Sequence, residues 1–195
     1  MSLTKTAIRL VMGDGVAASY GRWEDRADRY WHRASSGLLC LLVAQTLGWG
    51  LARQMVAVAV GATFGGGAWS PDCDQYRFFR RLDKIVPDEW LGHGGPLGHH
   101  RATHSPWIPA FGVVMVASRP EWWPLLLVFV AWIGHDLGDV LIGRGGKDVP
   151  CGPPWFLWWK NWGLGLFRSG GKVCMAATVA CWVGVIWRLW SVGTL

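Results

Sequence analysis

The apolar residues of this chain are gathered into long stretches, and the charged residues lie between those stretches. Asp, Glu, Lys and Arg are all missing from residues 34–52, 54–71, 105–118, 122–134 and 173–187. A helix that crosses a membrane needs about 20 mostly apolar residues. The first stretch is long enough, whereas the others need flanking residues, a tilt or a thinned bilayer. The pattern predicts spans at about 34–52, 55–69, 105–118, 122–143 and 173–190.

Two short polar breaks divide these stretches into pairs. Arg53-Gln54 and Ser118-Arg119-Pro120-Glu121 predict the tight turns of two helical hairpins. The predicted fold class is therefore all-α: a polytopic membrane helical bundle of two helical hairpins plus a C-terminal helix. Residues 1–31 mix charged and aromatic side chains, which predicts an interfacial N-terminal extension ahead of a membrane-embedded domain at 32–195. A disordered basic tail is the alternative for residues 1–31.

Composition supports a membrane location. Apolar residues make up 51% of the chain and charged residues only 16%, against about 25% charged residues in soluble proteins. Many of the 16 tryptophans lie near the ends of the apolar stretches, where indoles favour the boundary between membrane and water. A tryptophan-rich soluble core is the alternative, and the separation of charged from apolar residues disfavours it.

The positive charge follows the predicted topology. If all five stretches cross, 16 of the 19 Lys and Arg residues lie on one side, in the N-terminal segment and in the loops at 70–104 and 144–172. Positive loops stay in the cytoplasm. The chain is therefore predicted to be a multi-pass membrane protein, with its N-terminus and both large loops cytoplasmic. This topology explains the net charge of +6 without any direct binding of nucleic acid.

Histidine and aspartate residues recur at the stretch ends that share the predicted cytoplasmic side. They are His32, Asp72, Asp74, His100, His104, His135 and Asp139. Helices that cross back and forth bring these ends together. Imidazole and carboxylate groups are ligands for Zn²⁺, Mn²⁺ and iron. The sequence therefore predicts a metal site at the cytoplasmic ends of the helices.

Each element also has a simpler interpretation. The four-residue spacing of His135 and Asp139 places both on one helix face, where they can hold a metal or only join helices through a hydrogen bond. Asp72 and Asp74 can share a cation, or they can belong to a turn that follows Pro71.

His100 and His104 form the element that precedes the third apolar stretch. Ser105-Pro106 predicts a helix start, with Ser105 as the N-cap and proline at the first helical position. That start leaves His100 and His104 in the loop before the helix. The alternative is a cluster of surface histidines, because two more histidines lie nearby in the sequence.

In this order the elements resemble a family of bacterial inner-membrane metal-dependent hydrolases, some of them described as LexA-binding, membrane-bound hydrolases. The resemblance covers about residues 32–150. Its elements are His32 to Gly37, Gly67 to Asp74, His100-Arg101-Ala102-Thr103-His104-Ser105, and His135 to Asp139 with Gly143. The third element is the most specific. The 31 N-terminal residues and Asp136 depart from the family pattern.

The resemblance implies a multi-pass hydrolase of a bacterial inner membrane that uses one or two divalent metal ions, with zinc favoured over manganese or iron. A phosphoester or lipid-linked substrate at the cytoplasmic membrane surface is expected, with the lipid bilayer as partner. Arg101 would stabilise phosphate charge, and Asp72 or Asp139 would act as general base. The alternative is a non-catalytic membrane protein whose structural metal supports binding or regulation of a cytoplasmic partner. Metal transport predicts ligands at the middle of the spans, and here they lie at the ends.

Overall fold

The structure is a computed structural model that describes residues 14–66, 69–71, 104–142, 149–150, 161–162, 164, 166 and 171–193. Its helices are α1 (Asp14–Thr46), α2 (Leu51–Gly66), α3 (Trp107–Ala117), α4 (Trp123–Ile142) and α5 (Lys172–Gly193). A 3-10 turn spans Pro120–Trp122, and strands β1 (Val149–Pro150) and β2 (Asn161–Trp162) pair antiparallel. The predicted all-helical class is confirmed for these residues, with this two-residue strand pair as their sheet structure.

The first hairpin turns earlier than predicted. Leu47–Gly50 separates α1 from α2, and Gly48 takes the left-handed conformation with a φ of 68°. Leu47 N donates to Val43 O at 3.0 Å, and Trp49 N donates to Ala44 O at 3.0 Å, which satisfies carbonyls at the end of α1. The prediction that Arg53-Gln54 forms the turn is therefore wrong. Both residues lie in α2, because the glycine can end a helix without any polar residue.

The second hairpin turn is confirmed, but the start of α3 differs from the prediction. Ser118 and Arg119 follow α3 and lead into the 3-10 turn. At the other end of α3 the N-cap position belongs to Pro106, which has helical dihedral angles and no side-chain cap. Ser105 contributes its carbonyl, which accepts from Ile108 N at 3.2 Å. The prediction of Ser105 as a side-chain N-cap is wrong, since its hydroxyl makes no hydrogen bond among the described residues.

Helix α1 runs without a break through residues 31 and 32. The predicted interfacial extension therefore continues into the first apolar stretch as one helix from Asp14 onwards, and residues 1–13 lie outside the described residues. The division of the chain at residue 31 into two domains stays a prediction.

Glycines bring α1, α2 and α4 close together around Ser36. A Cβ atom on Gly61 of α2 would lie 2.6 Å from Ser36 O, and one on Gly134 of α4 would lie 2.8 Å from Ser36 Cα. Small residues at helix contacts are typical of packing inside membranes, where close approach supplies the attraction. Away from these glycines the core is formed by Cys40, Ala44, Ala57, Leu127, Val130 and Ala131.

Two levels of the bundle are marked by polar contacts. At one level His32 of α1 stacks on His135 of α4. At the other, Gln45 Nε2 lies 3.2 Å from Gln54 Oε1 of α2, and Arg188 Nη1 of α5 donates to Gln45 Oε1 at 3.2 Å. We call Gln45, Gln54 and Arg188 the distal network. With a rise of about 1.5 Å per residue, Gln45 lies about 20 Å from His32 along α1.

Two of the helices are candidate membrane spans by length and composition. They cover Pro120–Leu141, with 22 residues, and Lys172–Val192, with 21 residues. Helix α3 is apolar but has 11 residues, and α2 has 16. Actual membrane crossing, by these two helices or by the other predicted stretches, and the cytoplasmic orientation stay predictions.

Candidate metal centre

Three histidines from different parts of the chain surround the carboxylate of Asp139. His32 of α1 places Nε2 3.2 Å from Asp139 Oδ1. His135 of α4 and His104, which precedes α3, place Nε2 3.3 Å and 3.6 Å from Asp139 Oδ2. The two Nε2 atoms of His104 and His135 are 3.3 Å apart. The structure thus brings together four of the seven residues predicted as metal ligands.

The centre is closed off from solvent. The three histidines are 0–1% exposed and Asp139 is 8% exposed. A buried carboxylate is costly unless it is paired with positive charge or bound to a metal. The three rings can provide that charge if they are protonated, and a divalent cation among them provides it if they are neutral.

A backbone carbonyl determines which ring nitrogen of neutral His135 carries the hydrogen. Its Nδ1 lies 2.6 Å from Gly65 O, and a carbonyl oxygen only accepts, so Nδ1 must carry a hydrogen. In the neutral ring Nε2 then has a lone pair, which faces the carboxylate of Asp139. A nitrogen lone pair directed at a carboxylate is the arrangement that a cation between them stabilises. Histidine ligands of metals usually donate their other N–H to a carbonyl in this way.

Gly65 makes this contact possible. It lies in the last turn of α2, where carbonyls have no partner inside the helix, so its oxygen is free to accept from His135. A Cβ atom at Gly65 would collide with the Ser36 side chain and would lie 3.1 Å from His32 O. The absence of a side chain therefore lets α1 and α2 approach closely enough for both histidines to face α4.

The glycine between the two α4 ligands positions His32. A Cβ atom at Gly138 would lie 2.8 Å from His32 Nδ1 and 3.0 Å from Trp31 Nε1. The bare backbone at this position leaves room for the His32 ring, which stacks on His135 with ring centroids 4.0 Å apart and an angle of 24°. The ring therefore presents Nε2 to Asp139 rather than to solvent.

The atomic spacings suit a metal ion. Ligand atoms around tetrahedral zinc, at metal–ligand distances of about 2.0–2.2 Å, lie about 3.3–3.6 Å from one another. The spacings to Asp139 and between His104 and His135 are 3.2–3.6 Å. One ligand atom from each of His32, His135 and Asp139 lies within 4.8 Å of the other two. This buried group can hold a metal ion, and His104 lies beside it.

The C-terminal end of α4, which carries Asp139, is fixed by a later part of the chain. Leu164 N donates to Val140 O at 2.6 Å, and Leu166 N donates to Leu141 O at 2.7 Å. Carbonyls of a last helical turn have no partner inside their own helix. Their hydrogen bonds to Leu164 and Leu166 hold the end of α4 in place beside the centre.

The remaining predicted site residues lie outside the described residues. They are Asp72, Asp74, His100 and Arg101. The described chain stops at Pro71, which is buried beside the buried Ser70, and resumes at His104. The predicted roles of these four residues as ligands, general base or phosphate-binding group stay predictions.

The sequence did not indicate the contribution of Gly65 to the centre, nor the burial of Asp136. Asp136 is 3% exposed and lies next to His135, although it was noted only as a departure from the family pattern. An acidic residue within an apolar helix is the signal that marks such a position, because burial of a charge needs a reason. Gly65 contributes through its carbonyl, and no side-chain pattern indicates a backbone acceptor.

Comparison of the chain with protein-family models, with curated proteins and with solved structures returns no match.

Proposed function

We propose that this chain is a membrane-bound metal-dependent hydrolase that acts on a phosphoester or lipid-linked substrate at the cytoplasmic surface of a bacterial inner membrane. The observation that carries the proposal is the convergence of three histidine Nε2 atoms on Asp139 while the Nδ1 atom of His135 donates to Gly65 O. This donor set and this ring orientation are typical of a metal centre. The sequence resemblance to membrane metal-dependent hydrolases supplies the reaction class.

Exposed apolar side chains support the membrane location. Helix α5 exposes Val179, Ile186, Trp187 and Trp190 at 60–73% of their surface. Its candidate span of 21 residues is about 31 Å long, which matches the roughly 30 Å of a hydrocarbon core. Soluble proteins rarely expose apolar patches larger than a few hundred Å². Contact with lipid accounts for this surface.

The position of the ligands along α4 suits a substrate at the membrane surface. Asp139 lies two residues before Leu141, where the candidate span ends, and His135 lies six residues before it. These separations are about 3 Å and about 9 Å along the helix. In a bilayer the centre would lie where acyl chains meet headgroups, which is the depth of a lipid phosphoester.

In the proposed hydrolysis the metal ion and the side chains have different roles. A bound divalent ion acts as a Lewis acid and lowers the pKa of a coordinated water to about 7. His32, His104 and His135 would hold the ion, and Gly65 would keep His135 in the binding tautomer. Asp139 would be a ligand, or would take the proton from water if Asp72 and Asp74 complete the metal shell. Arg101 would neutralise phosphate charge.

A non-catalytic structural metal is the second candidate. His32, His135 and Asp139, each with one ligand atom, would surround one tetrahedral ion together with a fourth ligand, and such a saturated ion leaves no position for water. The chain would then be a membrane protein that binds or regulates a cytoplasmic partner.

Metal analysis of the purified full-length chain in detergent tests both candidates. The wild-type protein should retain one or two divalent ions per chain, and His135→Ala should lose most of this metal. His93→Ala is the matched control, because His93 is not among the predicted ligands. Cobalt substitution then separates the candidates: a visible spectrum that azide alters shows an open position and supports the hydrolase. An unaltered four-coordinate spectrum supports the structural metal, and a wild-type protein without metal contradicts both.

A further inference from the structure

We propose that Arg33 forms an oxyanion-binding subsite beside the metal centre and recognises the phosphate group of the substrate. This inference rests on the proposed function. It assigns recognition of the negatively charged phosphate to a residue that is not among the seven predicted metal ligands. Arg33 follows His32 directly in α1, and it contacts the glycine that follows Gly65 in α2.

The stem of Arg33 is fixed across the end of α2. Its Nε donates to Gly66 O at 3.1 Å. A Cβ atom at Gly66 would lie 2.8 Å from Arg33 Cγ and 2.9 Å from Arg33 N, so the missing side chain makes room for the arginine. The Tyr30 ring lies 6.0 Å from the guanidinium carbon. An arginine held along its stem has already lost the freedom that binding a ligand would otherwise remove.

Within the part of the chain that the structure describes, the outer edge of this guanidinium has no partner. The contacts of Arg33 with other described residues use Nε and the Tyr30 ring, and neither Nη group has a hydrogen-bond or ion-pair partner there. The side chain is half-buried, and Tyr30 beside it is exposed. Two parallel N–H groups on a planar edge match two oxygens of a phosphate or a carboxylate.

Charge favours an anion at this place. Asp139 is buried at the centre, and its single negative charge would balance half the charge of one divalent ion. Arg33 then gives the loaded centre a net attraction for a negatively charged group. The adjacent carbonyls of Gly65 and Gly66 bind His135 and Arg33, so the C-terminal end of α2 connects the predicted metal ligand to the guanidinium.

A purely structural role is the competing explanation. In that role Arg33 satisfies a carbonyl at the end of α2, and its loss lowers stability without changing anion affinity. Stability alone therefore does not test the inference, whereas the dissociation constant for phosphate does.

The experiment is isothermal titration of the full-length chain in dodecyl maltoside, loaded with Zn²⁺ or Mn²⁺. The probes are inorganic phosphate and dioctanoyl phosphatidic acid, and the variants are Arg33→Gln and Arg33→Lys. We expect Arg33→Gln to weaken binding by about tenfold or more, since a hydrogen bond between charged groups is lost. Arg33→Lys should restore part of the affinity, because it keeps the charge without the planar fork. Arg53→Gln is the matched control: Arg53 lies in the half of the bundle that contains the distal network, 5.7 Å from the Trp123 ring.

The outcomes distinguish a failure of the Arg33 inference from a failure of the proposed function. Weaker binding of both probes by Arg33→Gln supports a subsite for the phosphate group itself, and weaker binding of the lipid alone supports a headgroup subsite. Equal affinities of the wild-type protein and Arg33→Gln for both probes, with metal content unchanged, overturn the inference and leave the metal centre intact. A wild-type chain that binds no metal refutes the proposed function instead.

Discussion

Substitution of Gly65 by alanine should disturb the centre although residue 65 binds no ion with a side chain. The added Cβ atom would collide with the Ser36 side chain and press on His32 O at 3.1 Å. Helices α1 and α2 must then separate, or α2 must rotate. Either movement shifts Gly65 O away from His135 Nδ1, where the contact is now 2.6 Å.

The magnitude follows from two opposing effects. Overpacking of a close helix contact costs about 1–3 kcal/mol. Alanine recovers about 0.5–1 kcal/mol, because glycine is less favourable inside a helix. The net loss of stability should be about 0–2.5 kcal/mol. Metal affinity should fall further, by about 10–100-fold, which is the usual effect of removing a partner that orients a metal-binding histidine.

Two measurements on detergent-purified protein test this prediction: the thermal midpoint of the metal-free chain, and the dissociation constant for Zn²⁺ in competition with a chelator. Gly50→Ala is the matched control, since a Cβ atom there has nothing within 4 Å. Adding Ser36→Gly to Gly65→Ala should restore much of the affinity, because it removes the side chain that the new methyl group strikes. Unchanged metal affinity in Gly65→Ala, or no recovery in the double variant, would refute the reasoning.

Three further outcomes follow from the same contacts. Asp139→Asn should lower metal affinity by more than tenfold, as measured by chelator competition, because the neutral amide attracts the cation less and the three histidines lose their shared carboxylate; an unchanged affinity would exclude Asp139 as a ligand. Removal of metal by dialysis against chelator should lower the thermal midpoint, since an ion that binds only the folded chain stabilises it, and identical midpoints with and without metal would argue against a bound ion. Gln54→Leu should cost about 1–3 kcal/mol in stability, because Gln54 Nε2 donates to Trp49 O at 2.6 Å and Gln45 Nε2 donates to Gln54 Oε1. Its metal content should remain that of the wild-type protein, and a loss of metal would show that the distal network and the centre are coupled.

The side chains of the described centre were predictable from the sequence. The spacing of His135 and Asp139 places them on one helix face, and the succession of apolar stretches places His32 and His104 at the same level. These inferences depend on the periodicity of a helix and on the alternating direction of consecutive helices. Both can be inferred from the pattern of a single sequence.

The backbone contributions were not predictable in the same way. The turn at Gly48 lies inside a charge-free stretch, so the polar Arg53-Gln54 pair was the stronger signal and gave the wrong boundary. The Gly65 carbonyl depends on how closely two helices approach, and that distance is set by packing around Ser36. Asp136 was visible in the sequence, but its burial depends on tertiary contacts.

X-ray absorption spectroscopy of the zinc-loaded, full-length chain tests the central claim most directly. We expect two or three imidazole nitrogens at about 2.0–2.1 Å from the zinc and at least one oxygen at about 2.0–2.2 Å, with no sulfur ligand. His93→Ala should give the same spectrum, and His32→Ala should lose an imidazole contribution. A chain that retains no zinc, or a spectrum with a zinc–sulfur distance of about 2.3 Å, would contradict a centre built on His32, His135 and Asp139.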